Sequence, residues 1–264
     1  MICSACGNNV EYFRACRCPP IIVTGCGHSG TTIVATLLGA HPSCALIRRE
    51  TFFLSHLDRA AVAKFWEYAR DLRATRWVEK TPAHVNFLHA LNIANAASGM
   101  RDVVPDYRLV LVARDGRDVV SSLMRRGKTF QAALARWNKD TSAAVTHDLT
   151  DPKSILVRYE DLVAHPVVWV GRMLTHAGLP LDPQVFAHHQ QPQRWQGAVV
   201  HPSAAEPSER RQHVLRRAWQ ISQPLFDGRG RWRSNPDFCA QLDAFWARSK
   251  ALMGKLRYQD EVRH

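Results

Sequence analysis

The 264-residue chain is short of acidic side chains: 23 Asp and Glu stand against 35 Lys and Arg, for a formal net charge of +12. A surplus of that size points to a polyanionic partner: nucleic acid, a membrane surface, a nucleotide or an acidic polymer. Charge alone does not choose among them. No apolar run approaches the roughly 18 residues that a membrane-crossing helix needs, so no membrane span is expected. The first twenty residues, MICSACGNNVEYFRACRCPP, lack a basic stretch followed by an apolar one. That absence argues against a secretory leader and predicts a cytoplasmic location. Internal repeats and long low-complexity linkers are also missing, and the length suits one sizeable α/β domain.

Cysteine is present in an odd number, seven, which argues against a disulfide framework in a chain without a secretion signal. Four of the seven, Cys3, Cys6, Cys16 and Cys18, form a C-x2-C-x9-C-x-C pattern. Four thiolates at such spacing suit a small tetrahedral zinc knuckle. The alternative is a frayed terminus with reduced thiols. Residues 1–19 are therefore set apart as a Cys-rich segment, and residues 20–264 are read as one domain.

Along that domain, strands alternate with helices. Ile21 to Val23 reads as a strand, Gly25 to Gly30 as a glycine-rich turn and Thr31 to Leu38 as a helix. Asp58 to Arg73 is an amphipathic helix, Trp77-Val78 a short strand, and a helix is expected from Pro82 to about Ala97. Arg108 to Ala113 (RLVLVA) and Ser154 to Val157 (SILV) have the apolar character of strands buried on both faces of a parallel sheet. Helices are expected over Asp118 to Arg126, Thr129 to Val145, and Tyr159 to Gly178 with a break near Pro166. Leu179 to Pro207, rich in Pro, Gln and His, reads as a loop. Two further helices are expected over Ser208 to Leu225 and Asp237 to Leu256. The expected fold is a P-loop-like, doubly wound parallel α/β sheet flanked by helices, with ligands at the carboxyl ends of its strands.

The turn Gly25-Cys26-Gly27-His28-Ser29-Gly30-Thr31-Thr32 follows a strand and opens a helix. Small residues there let backbone N–H groups close around an anion, and the helix N-terminus adds partial positive charge. Gly25, Gly30 and Thr32 are in register with the phosphate-loop pattern G-x4-G-K-[ST], but Thr31 stands where that pattern has Lys. The missing Lys leaves the loop poorly equipped for a triphosphate and well equipped for a single 5′-phosphate.

At these residues the sequence resembles the sulfotransferases that use 3′-phosphoadenosine 5′-phosphosulfate (PAPS), with the carbohydrate and tyrosylprotein branches nearest in pattern. Four segments carry the likeness. His28-Ser29-Gly30-Thr31-Thr32 is similar to the family's 5′-phosphosulfate loop, where Arg, Lys or Pro is usual in place of His28. Arg114-Asp115-Gly116-Arg117-Asp118, with Ser122 eight residues after Arg114, is similar to the 3′-phosphate site. Tyr159-Glu160-Asp161-Leu162 resembles the segment whose Tyr lies near the adenine. Gly228-Arg229-Gly230-Arg231-Trp232-Arg233 resembles the basic Gly/Trp loop that closes over the 3′-phosphate. The resemblance implies that Gly27, His28, Ser29, Gly30, Thr31, Thr32, Arg114, Ser122, Tyr159, Arg229 and Arg231 hold PAPS, released as PAP. It implies transfer of a sulfuryl group to an acceptor hydroxyl or amine, with a carbohydrate or other acidic acceptor as the expected partner.

Such transfer needs a base for the acceptor proton and positive charge on the leaving phosphate; side-chain cations suffice, and magnesium is not expected to be required. Glu50 lies 22 residues beyond His28, about the spacing of the catalytic Glu in the branches named above. Its aromatic neighbours suit a base whose carboxylate is partly desolvated. The competing reading is a surface Glu paired with Arg48 or Arg49; His28 is the alternative base. Lys80, in Glu79-Lys80-Thr81-Pro82, is expected to stabilise charge on the leaving phosphate, against the alternative of a salt bridge to Glu79. Two rival functions are a P-loop kinase, opposed by the missing Lys, and a non-enzymatic nucleic-acid binder. Against the binder, only Arg229 to Arg233 interleaves basic and aromatic residues, so no nucleic-acid partner is expected.

Overall fold

The computed structural model describes residues 18–56, 58–88, 106–190, 193–196, 198–200 and 213–258. Five parallel strands form its sheet: β1 (Ile21–Gly25), β2 (Cys44–Leu46), β3 (Arg76–Lys80), β4 (Arg108–Ala113) and β5 (Ser154–Arg158), in the spatial order β2-β3-β1-β4-β5. The expected α/β fold is the observed one. The period-two alternation of strand side chains separates two cores. Ile21, Val23, Val110 and Val112 pack on one face with Val34 and Leu38. Ile22, Leu109 and Leu111 pack on the other with Phe53 and Trp77. Burying one such side chain contributes about 1.5–3 kcal/mol, so strands apolar on both sides are stable only where helices cover both faces.

Helix α1 (Thr31–Gly39) follows β1, and the short α2 (Phe53–His56) and longer α3 (Arg59–Asp71) lie between β2 and β3. Asp58 caps α3 by accepting from the Ala61 N–H at 2.9 Å. Helix α4 (Gly116–Met124) starts directly after β4, followed by α5 (Phe130–Asp148). The break near Pro166 divides α6 (Tyr159–Ala164) from α7 (Pro166–His176), with Pro at the first position of the second helix, where its missing N–H costs nothing.

Three expectations are corrected. After β3 the chain makes a 3-10 helix, Pro82–Phe87, in place of the expected α-helix; the remainder of that expected helix, beyond Leu88, lies outside the described residues. The stretch read as a loop after Leu179 holds a second 3-10 helix, Pro183–Gln190, and an antiparallel hairpin of β6 (Gln193–Trp195) and β7 (Ala198–Val200). Trp195 anchors that hairpin by burying its ring against α8 (His213–Ile221), a tertiary contact with no periodic signature. The C-terminal helix expected as one is two, α9 (Pro236–Cys239) and α10 (Leu242–Lys255). Cys18 is buried, whereas Cys3, Cys6 and Cys16 lie outside the described residues. Among the described residues no helix is long and apolar enough to cross a membrane.

Candidate active site

Strand β1 has β3 on one side and β4 on the other. The chain's direction of travel across the sheet reverses there, and the crevice beyond the strand ends is where open α/β sheets bind ligands. The turn after β1 occupies that crevice. At Gly25, φ is 142° and a Cβ would lie 2.2 Å from the Val112 carbonyl oxygen, so only glycine lets β1 and β4 stay in register. Gly30 caps α1 at φ 95°, and a Cβ there would press into the Tyr159 ring at 2.7 Å. The first-turn N–H groups of α1 lie at the carboxyl end of β1. Thr31 and Thr32 are buried there. Ser29 Oγ is fully buried and has no hydrogen-bond partner among the described residues, a donor positioned for an anion in the loop.

The 3′-phosphate candidates converge from β4 and α4. His28 Nδ1 lies 2.9 Å from Ser122 Oγ, joining the first loop to the second across 94 residues of sequence. Arg114 donates from Nη1 to the His28 carbonyl at 3.3 Å and from Nη2 to the Gly228 carbonyl, and its guanidinium lies 4.5 Å over the Tyr159 ring. It also pairs with Asp118 at 3.4 Å. Tyr159 donates its hydroxyl to the Phe226 carbonyl at 2.7 Å, and burial pushes its pKa up, keeping that proton in place.

Asp118 organises the closing loop, a role the motif reading missed. Its two carboxylate oxygens accept the Gly230 and Trp232 N–H groups, each at 2.9 Å. Burial raises its pKa even with Arg114 nearby. Arg229 is exposed and pairs bidentately with Asp227, whose pKa is lowered to about 2 by that contact. The Arg231 guanidinium lies over the Phe226 ring at 5.0 Å. Both arginines are on the loop, at its solvent side.

The catalytic candidates meet across β2 and β3. Lys80 Nζ is 2.7 Å from Glu50 Oε1; the Lys80 side chain is wholly buried, and that of Glu50 is 21% exposed. The alternative pairing of Lys80 with Glu79 does not form; Lys80 pairs with Glu50. Glu79 instead accepts from Thr51 Oγ1 at 2.8 Å and Thr81 Oγ1 at 2.5 Å, with His84 Nε2 at 3.2 Å from its second oxygen. Successive strand residues point to opposite faces, so Glu79 and Lys80 cannot share a partner. Glu79 thus ties together the residues following Glu50 and Lys80. The Trp195 ring lies against Lys80, its centroid 4.8 Å from Nζ, while the Gln196 N–H donates to the Arg48 carbonyl at 2.9 Å. A buried ammonium is tolerated only with such compensation.

A glycine-rich turn, an arginine and a carboxylate–ammonium pair thus lie at the carboxyl ends of the strands. The sequence profile of the Sulfotransferase family matches residues 55–183. Protein-tyrosine sulfotransferase 1 of Danio rerio is 25% identical over 200 residues, 65% of this chain and 56% of the relative. Protein-tyrosine sulfotransferase of Drosophila melanogaster is 26% identical over 207 residues, 65% and 40%. The chain thus spans about half the length of the curated relatives it matches. The fold is that of the sulfotransferase domain of the Synechococcus PCC 7002 olefin synthase, with a TM-score of 0.58 at 15% identity, covering 86% of this chain and 94% of that one. A sulfotransferase from Alicyclobacillus acidocaldarius gives 0.51 at 15%, covering 92% and 97%.

Proposed function

We propose that the chain, which is similar to sulfotransferases in sequence and in fold, transfers the sulfuryl group of PAPS to a hydroxyl of an acceptor, and that the acceptor is a protein tyrosine. The observation that carries the reading is the Glu50–Lys80 pair at the mouth of a phosphate cradle that lacks the nucleotide-triphosphate lysine. The 5′-phosphosulfate would lie in the turn Gly27 to Thr32, with Ser29 Oγ among its donors, and the 3′-phosphate against Arg114 and Ser122. The loop Gly228 to Arg231 closes the second phosphate position.

In the transfer, the acceptor oxygen forms a bond to sulfur as the bond from sulfur to the bridging phosphate oxygen breaks. The acceptor proton goes to Glu50, and the electron pair of the broken bond stays on the phosphate of PAP. Lys80 sits beside Glu50 and supplies positive charge where that negative charge develops, the interaction that strengthens most toward the transition state. The buried environment makes the charge more effective than it would be in water.

Tyrosine is favoured over the carbohydrate acceptor because the relatives in sequence are protein-tyrosine sulfotransferases. It also suits the chemistry, since a phenol with a pKa near 10 yields its proton to a carboxylate more readily than an alcohol does. Arg49, exposed beside Glu50, and the +12 charge suit an acidic peptide around that tyrosine. The test is transfer from sulfur-labelled PAPS to an acidic tyrosine peptide, its phenylalanine counterpart and a carbohydrate panel. Label in the tyrosine peptide alone supports the proposal. Label only in carbohydrate overturns the acceptor, and no label from PAPS in any acceptor, with ATP consumed instead, overturns the transfer.

A further inference from the structure

Gly27 is a glycine for a reason that its backbone does not supply. Gly25 and Gly30 take positive φ in the turn after β1, whereas Gly27 lies outside the left-handed region. The space of its missing side chain is filled by Arg136. A Cβ on Gly27 would lie 2.8 Å from Arg136 Nη2 and 3.5 Å from Cζ, so the guanidinium packs on the bare Cα of the turn. Arg136 comes from α5, where its neighbour Trp137 fixes the helix: that ring is wholly buried and donates from Nε1 to the Arg114 carbonyl at 3.3 Å. Arg136 Nε lies 3.5 Å from Asp140 Oδ2, one helical turn further along, and Asp140 Oδ1 accepts from Asn86 Nδ2 at 3.1 Å.

The Arg136 side chain is 38% exposed and that of Asp140 6%, so the cation, not the carboxylate, is the member open to a ligand. A guanidinium carries five N–H donors in a planar fork. The long contact to Asp140 engages one of them, at Nε, and orients the group while Nη2 lies on the turn. Cys26, next to Gly27, is buried, and desolvation pushes its thiol pKa up, so it stays neutral and adds no second negative charge there. The turn itself is short of full positive charge. Thr31 stands at the position of the phosphate-loop Lys, and His28 Nδ1 is turned to Ser122 Oγ. Backbone N–H groups and hydroxyls bring only partial charges to an anion, and a guanidinium makes the stronger, charge-assisted bond. We propose that Arg136 is a further cofactor-binding residue, which reaches the 5′-phosphosulfate across Gly27 and supplies the charge that the turn lacks. The inference rests on the nucleotide reading above.

The experiment measures calorimetric affinities of the full chain for PAP and for adenosine 5′-phosphosulfate, which are alike in carrying a 5′-phosphate and differ at the 3′ position. Arg136→Gln should weaken both nucleotides at least about tenfold, the lower end for a charge-assisted hydrogen bond, with the melting temperature nearly unchanged. Arg136→Lys, which keeps the charge, should recover part of the loss. Gly27→Ala should push the guanidinium aside, since the flexible Arg136 end is what its Cβ would meet, and so reproduce the loss without unfolding the turn. The double variant Gly27→Ala/Arg136→Gln should then lose no more than either single one, because both changes act through one contact. Unchanged affinities in Arg136→Gln, a loss confined to PAP, no recovery in Arg136→Lys, or additive losses in the double variant would each overturn the proposal. A parent protein that binds neither nucleotide would overturn the nucleotide reading and this inference with it. A parent that binds both, beside an Arg136→Gln protein that binds them equally well, overturns this inference alone.

Discussion

Lys80 Nζ and Glu50 Oε1 lie 2.7 Å apart in a pair whose ammonium is wholly buried and whose carboxylate reaches solvent. In the proposed transfer one member faces the leaving group and the other the acceptor. Glu50→Gln keeps the shape and removes the base, so turnover should fall by about 10²–10⁴ with PAP affinity nearly unchanged. Single-turnover transfer rates and calorimetric PAP binding check this. Turnover near that of the parent would remove Glu50 from the mechanism and shift attention to His28.

Arg114 spans His28, Tyr159 and Gly228, in the segments that the resemblance places at the 5′-phosphosulfate, the adenine and the 3′-phosphate respectively. Arg114→Ala should cost about 1.5–3 kcal/mol of PAP binding, the worth of a charge-assisted hydrogen bond. Binding of adenosine 5′-phosphosulfate, which has no 3′-phosphate, should change little. Equal losses for the two nucleotides would place the arginine elsewhere.

Asp118 holds the Gly230 and Trp232 N–H groups. An Asn at that position can accept one of them, and its amide NH2 faces the other, leaving a buried donor unsatisfied at about 1–3 kcal/mol. Burial raises the Asp118 pKa in the folded protein. Between the ordinary aspartate pKa and that raised value, the unfolded chain has released its proton while the folded chain keeps it. The stability Asp118 contributes is thus complete below the ordinary value and declines as pH rises through the raised one. The stability advantage of the parent over Asp118→Asn, read by urea unfolding, should be largest at low pH and shrink toward neutrality. A difference that grows with pH would contradict the assignment.

Glu79 joins Thr51 to Thr81 and so fixes the spacing of Glu50 and Lys80. Glu79→Ala would strand buried hydroxyls and His84, and should cost about 3–5 kcal/mol of folding stability. Glu79→Gln keeps an acceptor for the hydroxyls, so it should fold, with a lowered kcat and little change in PAP affinity. A Gln variant with unchanged kcat would make Glu79 purely structural.

Positive charge at the site comes from Lys80, Arg114 and the loop N–H groups. Transfer is therefore expected to persist in EDTA, measured as label incorporated per minute before and after addition of the chelator. Loss of activity restored by magnesium would favour a kinase-like reaction.

The sequence by itself determined the parallel sheet and the phosphate turn. Apolar runs such as RLVLVA tolerate only a sheet covered on both sides, and Gly25 to Thr32 carries its anion-binding character in a few consecutive residues. It also marked Glu50, Lys80, Arg114 and Ser122, through local motifs and a spacing to His28. Their partners were decided only by the tertiary structure. Pairing of Leu46 with Val78 in the β2–β3 register brings the residues after β2 beside the end of β3, which is why Lys80 meets Glu50 and not its neighbour Glu79. Trp195 reaches Lys80 from a hairpin 115 residues further along, and Asp118 captures the N–H groups of residues 230 and 232. Contacts of that kind depend on where separate segments come to rest, and no period or spacing in one strand of sequence encodes them.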